Sequence, residues 1–393
     1  MRFSLNLKLG LLPKVIIAIA IGIVASLFFP LWLVRIFVTV TGVFSNFLSF
    51  IIPLIILGLV APGIADLGKG AGRLLAITAL IAYGSTILAG FFSYFTTSWS
   101  LPHLLSIQEL AGGSNLNFVE TVTSYFSIEM PPLMSVTTSL VLAFVIGLGV
   151  AAIEGDKIKF ALREFREIII AVIEKVIIPL LPLYIFGIFL KIGAEGQVSL
   201  VLGLFFKVII VIFAMHVVWL LFQFITAGAI TKRDPFKALF TMMPAYMTAL
   251  GTQSSAATIP VTLMQAKKNG VDNDVADFVI PLCATIHLSG SMLKIVACAY
   301  AIMFMTGMNA PIDMFAGFIM MLGITMIAAP GVPGGAIMAA VALLQSMLGF
   351  DQMLIGLMIA LYITMDSFGT ACNVTGDGAI ALVMNKINKS FKK

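Results

Sequence analysis

The sequence predicts an all-α polytopic membrane protein with eight transmembrane helices and two re-entrant helical hairpins. Three observations carry that prediction. The 393 residues are 60% hydrophobic and only 10% charged, with a mean hydropathy of +1.11, whereas soluble domains carry roughly 25% charged residues. Apolar runs long enough to cross about 30 Å of hydrocarbon recur along the chain. The basic residues behind the net charge of +5 gather between those runs and at the two ends, where they set topology and require no nucleic-acid partner.

In chain order, the first run spans 12–34, continuously apolar from Val15, after a start that carries Arg2, Lys8 and Lys14. No small-residue cleavage site with a soluble domain follows it, so it reads as an uncleaved first span. Further spans fall at 38–63, 74–97, 130–153, 168–192, 199–228, 276–307 and 353–384. Residues 236–266 and 312–346 are apolar too, but Gly251 to Pro260 interrupts the first and Pro330-Gly331-Val332-Pro333-Gly334-Gly335-Ala336 the second. Each reads as helix, turn, helix.

Charge discriminates between a span and a re-entrant hairpin for these two stretches. As hairpins they leave Lys69 and Arg73, Lys157 to Arg166, Lys232 to Lys237, Lys267 and Lys268, and the basic C-terminal residues on the side of the N-terminus. The loop at 99–129 on the other side has no Lys or Arg. Single spans would move Lys267 and Lys268 across the membrane. The chain then divides into a scaffold, residues 1–230, and a transport core, residues 231–393, with the third and sixth helices contributing to the core. The core reads hairpin, helix, hairpin, helix, an inverted repeat whose discontinuous elements point to a transport site at the bilayer midplane.

Near the end of the chain Asp366, Thr370, Asn373 and Asp377 follow steps of four, three and four, which puts them on one helix face. Ionisable groups at membrane depth are costly and mark substrate or ion pathways. His287, Ser291 and Lys294 would form a second stripe if their segment were regular helix. Lys294 is either a functional cation or a lysine snorkelling to an interface, and His287 either carries a coupled proton or is a neutral structural histidine. An intramembrane protease fits poorly: Asp366 and Asp377 lie about 16 Å apart along a helix, too far to share a proton, and His287 and Ser289 do not face each other. A channel would favour rings of like residues and a continuous lumen. Cys283, Cys298 and Cys372 lack CxxC spacing and are expected to be free, buried thiols.

Four motifs in order carry a resemblance: the serine-rich stretch Gln253 to Pro260, Pro281-Leu282-Cys283-Ala284-Thr285-Ile286, Gly331-Val332-Pro333-Gly334, and Asn373-Val374-Thr375-Gly376-Asp377. The chain resembles the dicarboxylate/amino acid:cation symporters, the bacterial and archaeal relatives of glutamate transporters. That resemblance implies a homotrimer embedded in the lipid of the cell inner membrane, both termini cytoplasmic, working by an elevator motion of the hairpin domain and needing no cofactor beyond a coupling ion. It puts Asp366 at the substrate α-amino group, Thr370 and Asn373 at its α-carboxylate, and Gln253, Ser254, Ser255, Val332, Gly334 and Gly369 around it. Asp377, with main-chain carbonyls at Thr285, His287 and Asn373, is the implied sodium site.

Three departures from the family pattern sharpen the expectation. Acidic-substrate members carry an arginine at the position of Gly369 or of Gln253, and this chain has neither. Its site residues are closer to the serine/threonine branch, which implies a small neutral amino acid such as serine, threonine or alanine. Ser289 stands where the family has an Asp that ligates sodium, and Thr78, Ile81 and Ala82 align with its companion hydroxyls, so one sodium site is expected to be missing. Lys294 is the third departure. It is expected either to replace that lost sodium or to stand in for the arginine, and the second case would readmit acidic amino acids or C4-dicarboxylates; sodium-independent or proton-coupled transport is the remaining alternative.

Overall fold

The computed structural model describes residues 10–66, 73–104, 122–153, 156–327, 329 and 333–391, and no strand occurs among them. The first half consists of α1 (Leu11–Ser26), α2 (Leu31–Asp66), α3 (Arg73–Leu104), α4 (Val136–Ile153), α5 (Asp156–Val172), α6 (Ile178–Ala194) and α7 (Val198–Thr231). Five described helical stretches are long and apolar enough to cross a membrane, and a sixth is obtained by counting one bent pair as a single span.

Two boundaries differ from the sequence reading for identifiable reasons. The run at 12–34 is split, because Pro30 disfavours helix at the residue before it and lacks the N–H a continuous helix would use; α1 ends at Ser26 and α2 starts at Leu31. The expected span at 168–192 begins at Asp156, since α5 runs through one π turn, Ile173–Ile177, into α6 as a continuous rod. Leu162, Phe165 and Ile169 give α5 an apolar face at helical spacing, and Phe165 and Ile169 pack on Gly58 of α2. Lys157, Lys159, Arg163 and Arg166 therefore sit on a helix and not in a loop.

The second half is a succession of broken helices. α8 (Pro235–Thr241) and α9 (Met243–Thr252) lead to α10 (Ser255–Lys268), which packs back on α9. Next come α11 (Asn273–Ile286) and α12 (Ser289–Met305), one helix interrupted at His287 and Leu288. α13 (Ile312–Ile327) and α14 (Gly335–Leu348) form a second pair of arms packed on each other. α15 (Gln352–Thr364) and α16 (Asp366–Phe391) meet at Met365 with a bend of 60°, an interruption the run at 353–384 did not announce.

The core lies where these broken pieces cross. α12 is enclosed by α3, α7, α15 and α16, and its residues from Ser289 to Ala299 are all buried. Cys283, Cys298 and Cys372 are unpaired and buried within it. In lipid, interrupted backbone is tolerated only where protein covers it.

Candidate functional site

Both arm pairs and the interrupted helix α11–α12 send a group to the first turn of α16. At the first break Gln253 adopts a left-handed conformation with φ 54°, and its Nε2 donates to Ser367 Oγ at 2.8 Å. Ser254 caps α10 by accepting from the Ala257 N–H at 3.2 Å, and Ser255 is buried behind it. At the second break Gly334, with φ +74°, starts α14 and donates its N–H to Asp366 Oδ2 at 2.7 Å. A residue with a Cβ is strained at that φ. Val332 lies outside the described residues.

The other carboxylate oxygen of Asp366 belongs to Lys294. Its Nζ lies 3.0 Å from Asp366 Oδ1, and the lysine is 0% exposed. The ammonium also lies 3.7 Å from the centre of the Tyr362 ring and 3.4 Å from the Met365 carbonyl. Gly369 makes the space: a Cβ there would fall 2.6 Å from Lys294 Nζ. The ammonium thus stands where a side chain at position 369 would begin. Asp366 is well placed for the charge, at the N-terminus of a helix whose dipole favours anions. Thr370, one turn on, donates its hydroxyl to the Asp366 carbonyl at 2.9 Å.

The interruption in α11–α12 is closed from outside the helix. Leu288 offers no side-chain cap to α12, so its first N–H groups need partners from elsewhere. Asn373 of α16 supplies them, its Oδ1 accepting from Gly290 N at 2.7 Å and Ser291 N at 3.3 Å. Its Nδ2 donates to Ser291 Oγ at 3.1 Å, and Tyr362 donates to the same hydroxyl at 3.2 Å. His216 of α7 adds a ring nitrogen 3.1 Å from the Gly290 carbonyl.

A second buried acid–base contact sits further along α16. His287 Nδ1 lies 2.8 Å from Asp377 Oδ1, with both side chains buried. The carboxylate can only accept, so Nδ1 carries the proton. On the other side of the ring Ser85 Oγ of α3 is 3.1 Å from Nε2, and Gln223 Nε2 of α7 is 3.1 Å from Ser85 Oγ and 3.5 Å from Ser289 Oγ. Gly376 clears the way for both side chains, since a Cβ there would fall 2.6 Å from Gln223 Oε1 and 3.0 Å from His287 Cε1. Asp377 Oδ2 is buried with no hydrogen-bond partner among the described residues.

The sequence-derived candidates therefore separate into two centres about 16 Å apart along α16. Asp366, Gly369, Thr370, Gln253, Gly334 and Lys294 belong to the first, and Asp377, His287 and Ser289 to the second. Asn373 lies between them. His287 and Lys294 do not share a stripe, because the break at His287 turns one toward Asp377 and the other toward Asp366. Thr285 is half-buried and donates to its own Leu282 carbonyl at 2.8 Å, and Thr78 likewise donates to Leu74 O at 2.7 Å. His216, Gln223, Ser85 and Tyr362 were missed. The first two had a signal: two polar residues at i and i+7 within one apolar run share a face.

Buried charges gathered where apolar helices break are the arrangement of a membrane transporter. The chain belongs to the sodium:dicarboxylate symporter family, whose model matches residues 11–387. It is 27% identical over 385 residues to a serine/threonine transporter SstT of Acinetobacter baumannii, covering 94% of this chain and 95% of that protein. A serine/threonine transporter SstT of Acinetobacter baylyi is 25% identical over 402 residues, covering 99% of this chain and 100% of its own length. Excitatory amino acid transporter 3 of Mus musculus is 33% identical over 195 residues, 48% of this chain and 36% of that protein.

Proposed function

We propose that the protein is a secondary active transporter for the cation-coupled uptake of a small neutral amino acid such as serine, threonine or alanine. The observation that carries this reading is the meeting of the Gln253 break, the Gly334 break and Lys294 at Asp366 and Ser367. Opening either arm pair would expose one buried carboxylate to one side of the membrane, which is what alternating access around a midplane site requires. The similarity to serine/threonine transporters supports the neutral substrate, as does the lack of an arginine at Gly369 and Gln253. In this reading the chain has eight spans with re-entrant arm pairs, lies in the inner membrane with both termini cytoplasmic, forms a homotrimer and moves its transport core as an elevator.

The coupled cation is assigned to Asp377, whose Oδ2 lacks a partner among the described residues. Sodium is the ion the family description suggests, and a proton on His287 is the alternative. A second substrate reading has its own observation: the Lys294 ammonium at the Gly369 Cβ position would take the place of an arginine and receive a second carboxylate. Uptake into proteoliposomes decides between them. Serine, threonine and alanine should outcompete aspartate and C4-dicarboxylates under an imposed sodium or proton gradient. Preference for a dicarboxylate that disappears in Lys294→Met would replace the neutral reading.

A further inference from the structure

Lys294 has a task that neither substrate reading covers. Its ammonium makes, with Asp366, the contact that the α-amino group of a substrate would make. It does so at 3.0 Å, fully buried, while Asp366 Oδ2 holds the Gly334 N–H at the second break. We propose that Lys294 is a tethered stand-in for the substrate ammonium: in the empty carrier it neutralises Asp366, so the carrier returns across the membrane without a counter-transported cation. This rests on the amino-acid reading above.

A bare carboxylate carried through the membrane interior would be expensive, because a buried charge without a partner is penalised far more than a paired one. A carrier with Asp366 alone would be held in place until a substrate or an inorganic cation arrived. With Lys294 in place the empty site carries no net charge from this pair. When substrate arrives its ammonium competes with the lysine for Asp366 Oδ1. The displaced Nζ keeps the Tyr362 ring and the Met365 carbonyl, at 3.7 and 3.4 Å, and the loss of its carboxylate partner weighs against binding. The cost is affinity, since a ligand that must displace an internal competitor binds more weakly by the fraction of time the site is occupied.

The test compares net uptake with exchange in proteoliposomes, together with serine binding to the purified protein. Lys294→Met should bind serine about tenfold more tightly or better, having lost its competitor. Its net uptake into empty vesicles should fall relative to serine–serine exchange by roughly a hundredfold, the rate equivalent of moving an unpaired buried charge. Equal losses in net uptake and exchange would show a merely structural lysine and overturn the proposal. A second arm needs no variant: wild-type vesicles filled with choline chloride alone should sustain net uptake, and a requirement for internal sodium or potassium overturns the proposal even if Lys294→Met fails to fold. Wild-type protein that transports none of serine, threonine and alanine refutes the amino-acid reading and takes this proposal with it. Uptake of those amino acids with an unchanged net-to-exchange ratio in Lys294→Met refutes this proposal alone.

Discussion

Replacing Asp366 by Asn removes the only carboxylate among the described residues in contact with the Lys294 ammonium. That ammonium is 0% exposed, so it retains only the Met365 carbonyl at 3.4 Å and the Tyr362 ring at 3.7 Å. Breaking a buried pair from one side costs about 3–5 kcal/mol, which for a chain of this length corresponds to a fall in Tm of roughly 4–6 °C. Lys294→Met strands Asp366 in turn, although the Gly334 N–H at 2.7 Å still supports one oxygen, and its loss should be somewhat smaller. In Asp366→Asn/Lys294→Met both charges are gone and only apolar or neutral groups meet, so stability should return to within about 1 kcal/mol of wild type. Thermal unfolding of the four proteins in detergent, without amino acid, measures the cycle. If the double variant falls by the sum of the single losses, the two side chains are not a pair and the assignment of both is wrong.

The remaining predictions use neighbouring contacts. Gly369→Ala should push Lys294 off Asp366 and cost about 1–3 kcal/mol, a loss that shrinks in the Lys294→Met background; an unaltered Tm would mean that the lysine does not lie over this helix. Asn373→Ala leaves the Gly290 and Ser291 N–H groups without their cap, which should cost about 1–2 kcal/mol and speed amide exchange at 288–291 relative to the rest of α12. Gly376→Ala presses first on the Gln223 amide and then on His287, and should change the cation dependence of uptake while the preference for serine over aspartate stays as it was. If Ser289 and the apolar positions on α3 remove one sodium site, the log–log slope of substrate affinity against sodium should stay below about three at two pH values; a slope of three at both would restore the missing site, and no dependence at all would remove sodium from Asp377 as well.

Much of this was legible in the sequence because each signal was local. The polar stripe of α16, the two interrupted apolar stretches and the lysine deep in an apolar run all come from spacing and composition, and they led to Asp366, Asp377 and Lys294. What stayed hidden depends on contacts between distant segments. That Lys294 faces Asp366 while His287 faces Asp377 follows from the non-helical conformations of His287 and Leu288, and helical periodicity assumes the opposite. The bend at Met365 was equally silent, since neither Gly nor Pro stands at it and Asp366 and Ser367, which follow it, read equally well as part of the polar stripe of one continuous helix. Ser85 entered the second centre from α3, where a single polar residue on a face carries little information until its partner is known, and the His216/Gln223 spacing on α7 marked a face without saying what it meets.

The two centres share one construction, in which a basic side chain on the α11–α12 segment meets a carboxylate on α16 and a glycine on α16 provides the clearance. Lys294 lies against Gly369 three residues after Asp366, and Gln223 and His287 lie against Gly376 one residue before Asp377. Neither glycine is explained by a turn, since both are in regular helix, and each costs about 1 kcal/mol relative to alanine by propensity alone. The space at Gly369 is what allows the long cationic side chain of Lys294 to reach a carboxylate between two tightly packed helices. The basic residue and its glycine are therefore one unit. Changing either alone strands a charge or leaves a void, and related chains that lack the lysine are expected to carry a larger side chain at the position of Gly369.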